Sequence, residues 1–558
     1  MIYRCLLIVV FLAHSLLGQP ISLSYLKNKP KLILVLVIDQ FRADYLTRFG
    51  DRFLPAKKGS EVGGFSYLMS AGAYFPYGQF ELLQNMTGPG HATILTGAYP
   101  YQSGIALNRW FDVERGQSVY CVEDAGVDTT EVRKLNPHLG ASPKNLTGST
   151  FGDELKNAGF ASRVVSIAIK DRAAILLGGY RADAVLWMEP KSFQWISSLF
   201  YFPGGKLPGW VKELNQSIEK EKGGVSSWNV GSRVSGLSLG DPLALLDQKT
   251  VKELGPKFPH SITMGTERSL ASPYGLELTR KAAEKAIQSY GLGKGKATDL
   301  LAVSFSSHDY VGHLFGPNSQ EAEEITIAED KLLSQFFNYL GKEIPGGLKN
   351  VLIVLTSDHG IPPNPDWLKK ERVPAGRIDE EKLRTDLNAY LSQKFIGKGD
   401  ANWVARIDEF NFYLNPKAFT QKNMEKAVVE KEIKSYLLQK VEGIAHVITE
   451  AEYAAHLFPP GLLGAQVSKT YFRGRSGDVV AIPKPFYMSG SDDTVSHQTG
   501  YAYDRTIPIL IAGRHIRSGV YGSGANVVDI APTLSFLVGV LPPSLSEGRV
   551  LSEILTDQ

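Results

Sequence analysis

The sequence predicts an α/β fold with a doubly wound, mostly parallel central sheet that carries helices on both faces. Three continuously apolar runs are typical of parallel strands buried on both sides: residues 31–38, 300–305 and 351–356. Two weaker strand patterns lie at 162–168 and 507–512, and amphipathic helical patterns lie between strands, as at 278–290 and 321–340. This alternation of strands and helices favours a parallel sheet with helical connections.

Two stretches interrupt the alternation and predict insertions. Residues 190–265 are rich in Gly, Pro, Ser and Trp without a sustained period, which indicates a loop-rich insertion over one end of the sheet. Residues 365–485 contain helical patterns at 380–395 and 423–441 and strand-like segments at 405–414 and 444–449. This second stretch predicts an α+β insertion or cap, after which the chain returns to the sheet near residue 506.

The first 19 residues predict a signal peptide. Arg4 precedes an apolar run from Cys5 to Ala13, and cleavage near residues 18–19 leaves an α/β domain of residues 20–558. A membrane anchor is the alternative, but the run is shorter than the roughly 20 apolar residues of a span. Cleavage leaves Cys121 as the one cysteine, so secretion without an intrachain disulfide indicates a bacterial periplasmic or extracellular protein.

The composition favours a soluble globular protein without a nucleic-acid partner. The 558 residues are 43% hydrophobic and 21% charged, with a net charge of +3, and no basic block is interleaved with aromatic residues. No segment beyond the leader resembles a membrane span, so no stable membrane anchor is expected. Nothing in the sequence indicates the oligomeric state.

Acidic residues follow the three strongest strand patterns. The first strand leads into Asp39, the second into Asp309 with His313 four residues later, and the third into Asp358-His359. His497 precedes the last strand pattern. Because ligands bind beyond the carboxyl ends of parallel strands, these side chains are expected at one rim of the sheet.

Each of these residues alone has an ordinary explanation as a helix cap, a surface pair or a loop residue. Three strand-end acids, two of them with a nearby histidine, favour a metal site instead, because crowded carboxylates repel one another without a cation. Oxygen and nitrogen ligands without cysteine suit zinc or a similar divalent ion. One tetrahedral zinc takes four ligands, and six candidate ligands are present, so the sequence predicts two Zn2+ ions.

A candidate nucleophile lies in Asn85-Met-Thr87-Gly-Pro-Gly-His91. Pro89 can begin a helix, which places Thr87 at or just before a helix N-terminus, where backbone amides favour anions. A threonine alkoxide needs a neighbouring metal at neutral pH. The alternative is that Thr87 is only a helix cap.

Together these residues resemble the alkaline phosphatase superfamily, from Asp39 to the C-terminal segment 526–539. Thr87-x-Pro-x-His91 is similar to the threonine-nucleophile branch, which includes type I phosphodiesterases and nucleotide pyrophosphatases. The resemblance implies one zinc held by Asp309, His313 and His497. It implies a second zinc held by Asp39, Asp358 and His359, with Thr87 as nucleophile and metal ligand.

Three further residues resemble the phosphate-irrepressible alkaline phosphatases. Asn108 lies where this branch places a phosphate-binding asparagine, and Lys170-Asp-Arg172 is similar to the Lys-x-Arg pair of the monoesterases. Two cations match the charge of a monoester dianion, whereas an exposed charged turn is the ordinary explanation of the motif.

The resemblance therefore implies a secreted, zinc-dependent alkaline phosphatase that hydrolyses small-molecule phosphate monoesters through a covalent phosphothreonine. A phosphodiesterase or nucleotide pyrophosphatase of the same fold is the nearest alternative. An inactive metal- or phosphate-binding protein is a third.

Overall fold

A ten-stranded central sheet organises the computed structural model. The structure describes residues 28–128, 140–231, 254–255, 257–397, 401–420, 423–490 and 494–556, so the expected signal peptide at 1–19 lies outside the described residues. The strands of this sheet are β1 (Leu32–Ile38), β2 (Gly72–Gln79), β3 (Val164–Ala168), β4 (Ala184–Glu189), β5 (Gln194–Ile196), β6 (Asp299–Phe305), β7 (Val351–Thr356), β8 (Thr506–Ala512), β9 (Gly519–Val520) and β10 (Ala525–Asn526).

The strand order is β9-β2-β8-β7-β1-β6-β3-β4-β5, with β10 also paired to β2. The five strands from β7 to β4 are mutually parallel. Strand β8 is antiparallel to both β7 and β2, and β5 is antiparallel to β4. The predicted α/β class and mostly parallel sheet are confirmed, with antiparallel pairs toward the edges.

All seven residues of β1 are buried. Its even-numbered side chains pack in one hydrophobic cluster with helices Pro273–Tyr290 and Gln320–Glu343. Its odd-numbered side chains pack in a second cluster with helices Thr87–Thr96 and Ile530–Val538. Helices cover both faces of the sheet, which explains why this strand is apolar throughout rather than alternating.

Residues 365–485 include a four-stranded antiparallel sheet with its own hydrophobic cluster. Its strands, in spatial order, are Val404–Asp408, Asn411–Leu414, Val479–Pro483 and Ile444–Thr449. Helices Glu380–Phe395 and Lys426–Lys440 pack in the same cluster. The strand-like pattern at 405–414 is two strands in the structure, joined by a tight turn.

Residues 190–265, expected to be loop-rich, contain a helix at Gly209–Glu221. This helix buries Trp210, Val211, Leu214 and Ile218, which lie on one face at helical spacing. A single short amphipathic stripe between Gly- and Pro-rich flanks gives a weak periodic signal. A two-stranded antiparallel ribbon, Val225–Trp228 and His260–Thr263, follows it.

The remaining elements are short or peripheral. The other helices are Tyr45–Arg48, Phe65–Ala71, Pro100–Ser103, Phe151–Asn157, Asp171–Gly178, Ser307–Phe315, Pro365–Lys370, Pro416–Thr420, Glu450–Ala454, Leu462–Thr470 and Ala502–Arg505, with 3-10 turns at Gly50–Arg52, Glu267–Leu270, Gly347–Asn350, Val527–Asp529 and Ser552–Ile554. The other strands are Lys57–Lys58, Glu61–Val62, Arg109–Asp112, Gln117–Tyr120, Gly376–Ile378 and Tyr487–Ser489. Among the described residues, no helix combines the length and hydropathy that crossing a membrane requires.

A buried ion-pair cluster fixes the segment after β1 to the long helix Gln320–Glu343. The Arg52 guanidinium lies 2.6 Å from Glu323 and 2.7 Å from Glu324, and the three side chains are at most 6% exposed. Removing one member of such a cluster leaves buried charge without compensation.

Candidate active site

Three adjacent strands place their following residues at one edge of the sheet. In the register of β7, β1 and β6, Ile38 pairs with Phe305 and Val37 pairs with Thr356. Asp39 follows β1 directly, Asp358 lies two residues after β7, and Asp309 lies in the helix that follows β6. The shared rim predicted from the sequence is therefore present.

The six expected metal ligands form two groups. Within each group, one candidate ligand atom from every residue lies within 4.8 Å of the others. The first group is Asp309, His313 and His497, and the second is Asp39, Asp358 and His359. The groups adjoin, because the His359 and His497 rings stack with their centroids 3.6 Å apart.

Each histidine directs one ring nitrogen away from the carboxylates. The Nδ1 atoms of His313, His359 and His497 lie 2.8, 2.9 and 2.8 Å from the backbone carbonyls of Val495, Gly360 and Asn85, respectively. A carbonyl oxygen can only accept a hydrogen bond, so we assign the proton to Nδ1. Each Nε2 then carries the lone pair and lies on the side of the carboxylates, so imidazole and carboxylate donors face the same space, as metal binding requires.

Electrostatics at the rim favour a bound cation. Burial lowers the pKa of His359, and burial together with the neighbouring His359 and His313 lowers the pKa of His497 well below its usual value. Burial and the adjacent Asp309 and Asp358 raise the pKa of Asp39. His359 Nε2 and Asp39 Oδ1 are buried without a hydrogen bond to any described residue. Neutral imidazoles beside crowded carboxylates are a donor set that fits divalent ions such as zinc.

Lys170 connects both groups to the candidate nucleophile. It is the N-cap of helix Asp171–Gly178, which begins after β3. Its Nζ lies 2.7 Å from Asp39 Oδ2, 2.5 Å from Asp309 Oδ2 and 3.4 Å from Thr87 Oγ1. Burial alone would lower the pKa of Lys170, but Asp309 and Asp39 raise it above its usual value, so the amine stays charged.

Thr87 is the first residue of helix Thr87–Thr96 and is buried. Arg172 Nη2 lies 3.3 Å from its Oγ1, and the Gly88 amide donates to Asn108 Oδ1 at 2.7 Å. The structure therefore brings Asn108 and the Lys170-Asp-Arg172 segment to Thr87, although these are separated in sequence. Their expected roles in catalysis remain predictions.

Three neighbours contact the expected ligands: His91 was expected from the sequence to be structural or to support the ligands, whereas Gln40 and Gly90 were not identified. Gln40 has a left-handed backbone with φ of 68°, and its Nε2 donates to Asp309 Oδ1 at 2.8 Å. His91 Nδ1 lies 2.8 Å from the Thr87 carbonyl and 3.1 Å from Asp358 Oδ2. Gly90 contacts the Asp358 backbone so closely that no Cβ fits between them. The available signal was proximity in sequence, because Gln40 follows Asp39 and the other two lie within Thr87-x-Pro-x-His91.

A tight turn of the inserted sheet reaches this rim. Its residues Glu409 and Phe410 have φ angles of 51° and 62°, which is costly for residues other than glycine. The carboxylate of Glu380 accepts both turn amides, and Gln84 donates to the Glu409 carbonyl at 2.7 Å. Burial, Asp408 and Glu380 raise the pKa of Glu409 to about 8.

Comparisons with known proteins identify the family. The chain belongs to the type I phosphodiesterase / nucleotide pyrophosphatase family, whose family model matches residues 33–503. The predicted resemblance to this branch is therefore confirmed.

Individual relatives match over nearly the full chain. The chain is 35% identical to alkaline phosphatase PhoV of Synechococcus elongatus, over 96% of this chain and 95% of that protein. It is 34% identical to a Myroides odoratus protein named calcium-transporting ATPase, over 95% of both. The crystal structure of alkaline phosphatase PafA superposes with a TM-score of 0.83 at 30% identity, over 95% of this chain and 99% of that one. The sequence of PafA from Elizabethkingia meningoseptica is 31% identical.

Proposed function

We propose that this protein is a metal-dependent alkaline phosphatase that hydrolyses small-molecule phosphate monoesters through a covalent phosphothreonine at Thr87. The observation that carries the proposal is the convergence of two cations on one hydroxyl: Lys170 Nζ and Arg172 Nη2 lie 3.4 and 3.3 Å from Thr87 Oγ1. Relatives named alkaline phosphatases, at 31–35% identity over more than nine-tenths of the chain, support the same function.

The two cations favour a monoester over a diester. A monoester dianion carries its charge on three nonbridging oxygens, and the transition state keeps that charge spread over them. Lys170 and Arg172 can each bind one such oxygen beside the nucleophile. A diester has one of these oxygens esterified, so it gains less from the second cation.

The two ligand groups fit two divalent ions, which we propose are zinc. Asp309, His313 and His497 would hold one ion, and Asp39, Asp358 and His359 would hold the other. When bound, such ions lower the pKa of a neighbouring hydroxyl and stabilise the charge of a leaving oxygen.

The reaction then consists of two displacement steps at phosphorus, in which the chain's own residues take part. In the first, Thr87 Oγ1 gives up its proton and forms a bond to phosphorus, the bond from phosphorus to the ester oxygen breaks, and the leaving oxygen takes up a proton to give the alcohol. In the second, water gives up a proton and forms a bond to phosphorus, the bond to Thr87 Oγ1 breaks, Thr87 Oγ1 takes up a proton, and phosphate leaves. Asn108, Lys170 and Arg172 hold the nonbridging oxygens in both steps.

The test compares kcat/KM for an aryl phosphate monoester and its methyl diester, using the zinc-loaded protein. We expect a strong monoester preference, complete loss of activity in Thr87→Ala with zinc still bound, and loss on chelation that zinc reverses. Lys170→Ala and Arg172→Ala should reduce monoester turnover far more than diester turnover.

The exposed Arg115 provides a control, because its side chain is 71% exposed and pairs only with the surface residue Asp112 among the ion pairs described. Arg115→Ala should leave both rates unchanged. A wild-type preference for the diester would instead favour the phosphodiesterase alternative. An active Thr87→Ala variant would rule out the phosphothreonine.

We also propose that residues 1–19 direct export and that the mature protein is periplasmic or extracellular. The apolar run after Arg4 supports this proposal. Cell fractionation with N-terminal sequencing tests it, and full-length protein in the cytosolic fraction would contradict it.

A further inference from the structure

A β-hairpin connects Asn108, which is expected to meet the phosphate, to Tyr120, which contacts Arg172. Its strands, Arg109–Asp112 and Gln117–Tyr120, pair from Arg109 opposite Tyr120. Asn108 therefore precedes the first strand directly, and Tyr120 ends the second. The Cys121 amide donates to the Asn108 carbonyl at 3.0 Å, which holds the two ends of the hairpin together.

We propose that Tyr120 is a positioning residue that holds the Arg172 guanidinium against the phosphate of a monoester. The proposal rests on the proposed function, since it concerns how that same site favours a dianionic ester. Nothing in the sequence motif indicates it, because Tyr120 is 52 residues from Arg172.

The Tyr120 hydroxyl occupies the centre of a short hydrogen-bond chain. It donates to Asp171 Oδ1 at 2.6 Å and accepts from Arg172 Nη1 at 3.1 Å. The same Asp171 oxygen accepts from the Arg172 backbone amide at 2.7 Å. Arg172 Nη2, the other end of the guanidinium, points to Thr87 Oγ1.

The charge state of the phenol suits this arrangement. Burial and the carboxylate of Asp171 raise the pKa of Tyr120 well above its usual value, although Arg172 acts in the opposite direction. The phenol therefore keeps its proton and gives it to Asp171, which leaves an oxygen lone pair for the guanidinium. The Arg109 guanidinium lies over one face of the Tyr120 ring, 5.1 Å from its centre, and restricts the movement of the ring.

Arg172 depends on this phenol for its orientation. Among the described residues, its side chain hydrogen-bonds to the Tyr120 hydroxyl and to Thr87 Oγ1, while its buried Nε has no hydrogen-bond partner. When Thr87 bonds to phosphorus, Tyr120 is the hydrogen-bond partner of the Arg172 side chain that remains among the described residues. Without it, the long side chain has several rotamers, and only some of them direct Nη2 to the phosphate.

The test is a double-mutant cycle of Tyr120→Phe and Arg172→Ala, measured on the aryl monoester and its methyl diester. Tyr120→Phe keeps the ring and removes one hydrogen bond to a charged group, so we expect kcat/KM for the monoester to fall about tenfold. Diester turnover should change less than about twofold. In the Arg172→Ala background, Tyr120→Phe should have no further effect on the monoester.

Tyr201→Phe is the matched control. Its hydroxyl also donates a hydrogen bond, to the Gly179 carbonyl at 2.8 Å, but Gly179 follows helix Asp171–Gly178 at the end opposite to Arg172. An equal monoester loss in this control, an equal loss on both esters, or additive losses in the cycle would overturn the positioning role. Asp171→Asn is a second variant. It removes the negative charge that faces the phenol, and it should lower monoester turnover, as Tyr120→Phe does.

The two proposals fail in distinguishable ways. The ester preference of the wild-type protein tests the proposed function, and the coupling between Tyr120→Phe and Arg172→Ala on whichever ester is turned over tests the role of Tyr120.

Discussion

Substituting Gly90 by alanine tests whether close packing sets the geometry of the nucleophile. Gly90 lies in the first turn of helix Thr87–Thr96, three residues after Thr87. A Cβ at this position would lie 2.3 Å from the Asp358 carbonyl oxygen and 2.8 Å from the Asp358 Cβ. Ordinary contact begins near 3.4 Å, so the helix and the Asp358 segment must separate by about 1 Å in a close-packed interior.

This separation acts on the distance between Thr87 and the proposed metal ligand Asp358, because each contacting atom belongs to backbone or to a Cβ that cannot rotate away. A misplacement of about 1 Å costs on the order of 100-fold in rate, which corresponds to roughly 2.7 kcal/mol of activation free energy. The overpacking should also lower the free energy of unfolding by about 1–3 kcal/mol.

The assay is kcat/KM on an aryl phosphate at saturating zinc, with Tm measured on the same samples. Gly50→Ala is the control, since no heavy atom lies within 4 Å of a Cβ at that position. It should leave both quantities unchanged. A Gly90→Ala variant that keeps at least a third of the wild-type rate would refute the packing argument.

Three other predictions follow from residues around the site. His91→Leu removes the ring that contacts Asp358, so metal affinity should fall about 10- to 100-fold in a chelator competition; unchanged affinity would contradict this. Arg52→Ala leaves two buried carboxylates without their cation and should lower the free energy of unfolding by about 3–5 kcal/mol in a denaturant titration; a loss below about 1 kcal/mol would count against it. Burial and its acidic neighbours raise the pKa of Glu409 to about 8 in the folded state, so the stability that the protonated group contributes at low pH is lost between its ordinary pKa of 4.5 and that value. The Tm of Glu409→Gln relative to wild type should therefore increase from about pH 5 to about pH 8 and level off above, and a constant difference over the whole range would contradict the prediction.

The position of the expected metal ligands could be predicted because it depends on local sequence and one general rule. A continuous apolar run indicates a buried parallel strand, and the carboxyl ends of such strands meet at one edge. Asp39, Asp309 and Asp358 each lie within four residues of a strand end, so strand positions sufficed to place them together.

The packing around these residues could not be predicted, because it joins segments distant in sequence. Gly90 contacts Asp358, and Tyr120 contacts Arg172, without any periodic or compositional signal. The turn at Glu409 was missed for a different reason. Left-handed turn positions usually show glycine or asparagine, whereas here Glu380 stabilises the turn through its amides.

The order of strands in the sheet constrains how the protein can form. Strand β1 is made early in synthesis, but both of its neighbours come much later, because Leu32 pairs with Asp299 and with Val351. Strand β1 therefore has no native neighbour until residue 305 has left the ribosome, just over half of the 558-residue chain, and contacts of such long range form slowly. The sheet centre therefore cannot begin to fold on the ribosome before the strand Asp299–Phe305 has emerged. Because one of the two expected ligand groups includes His497, that group is complete only when the last part of the chain has been made.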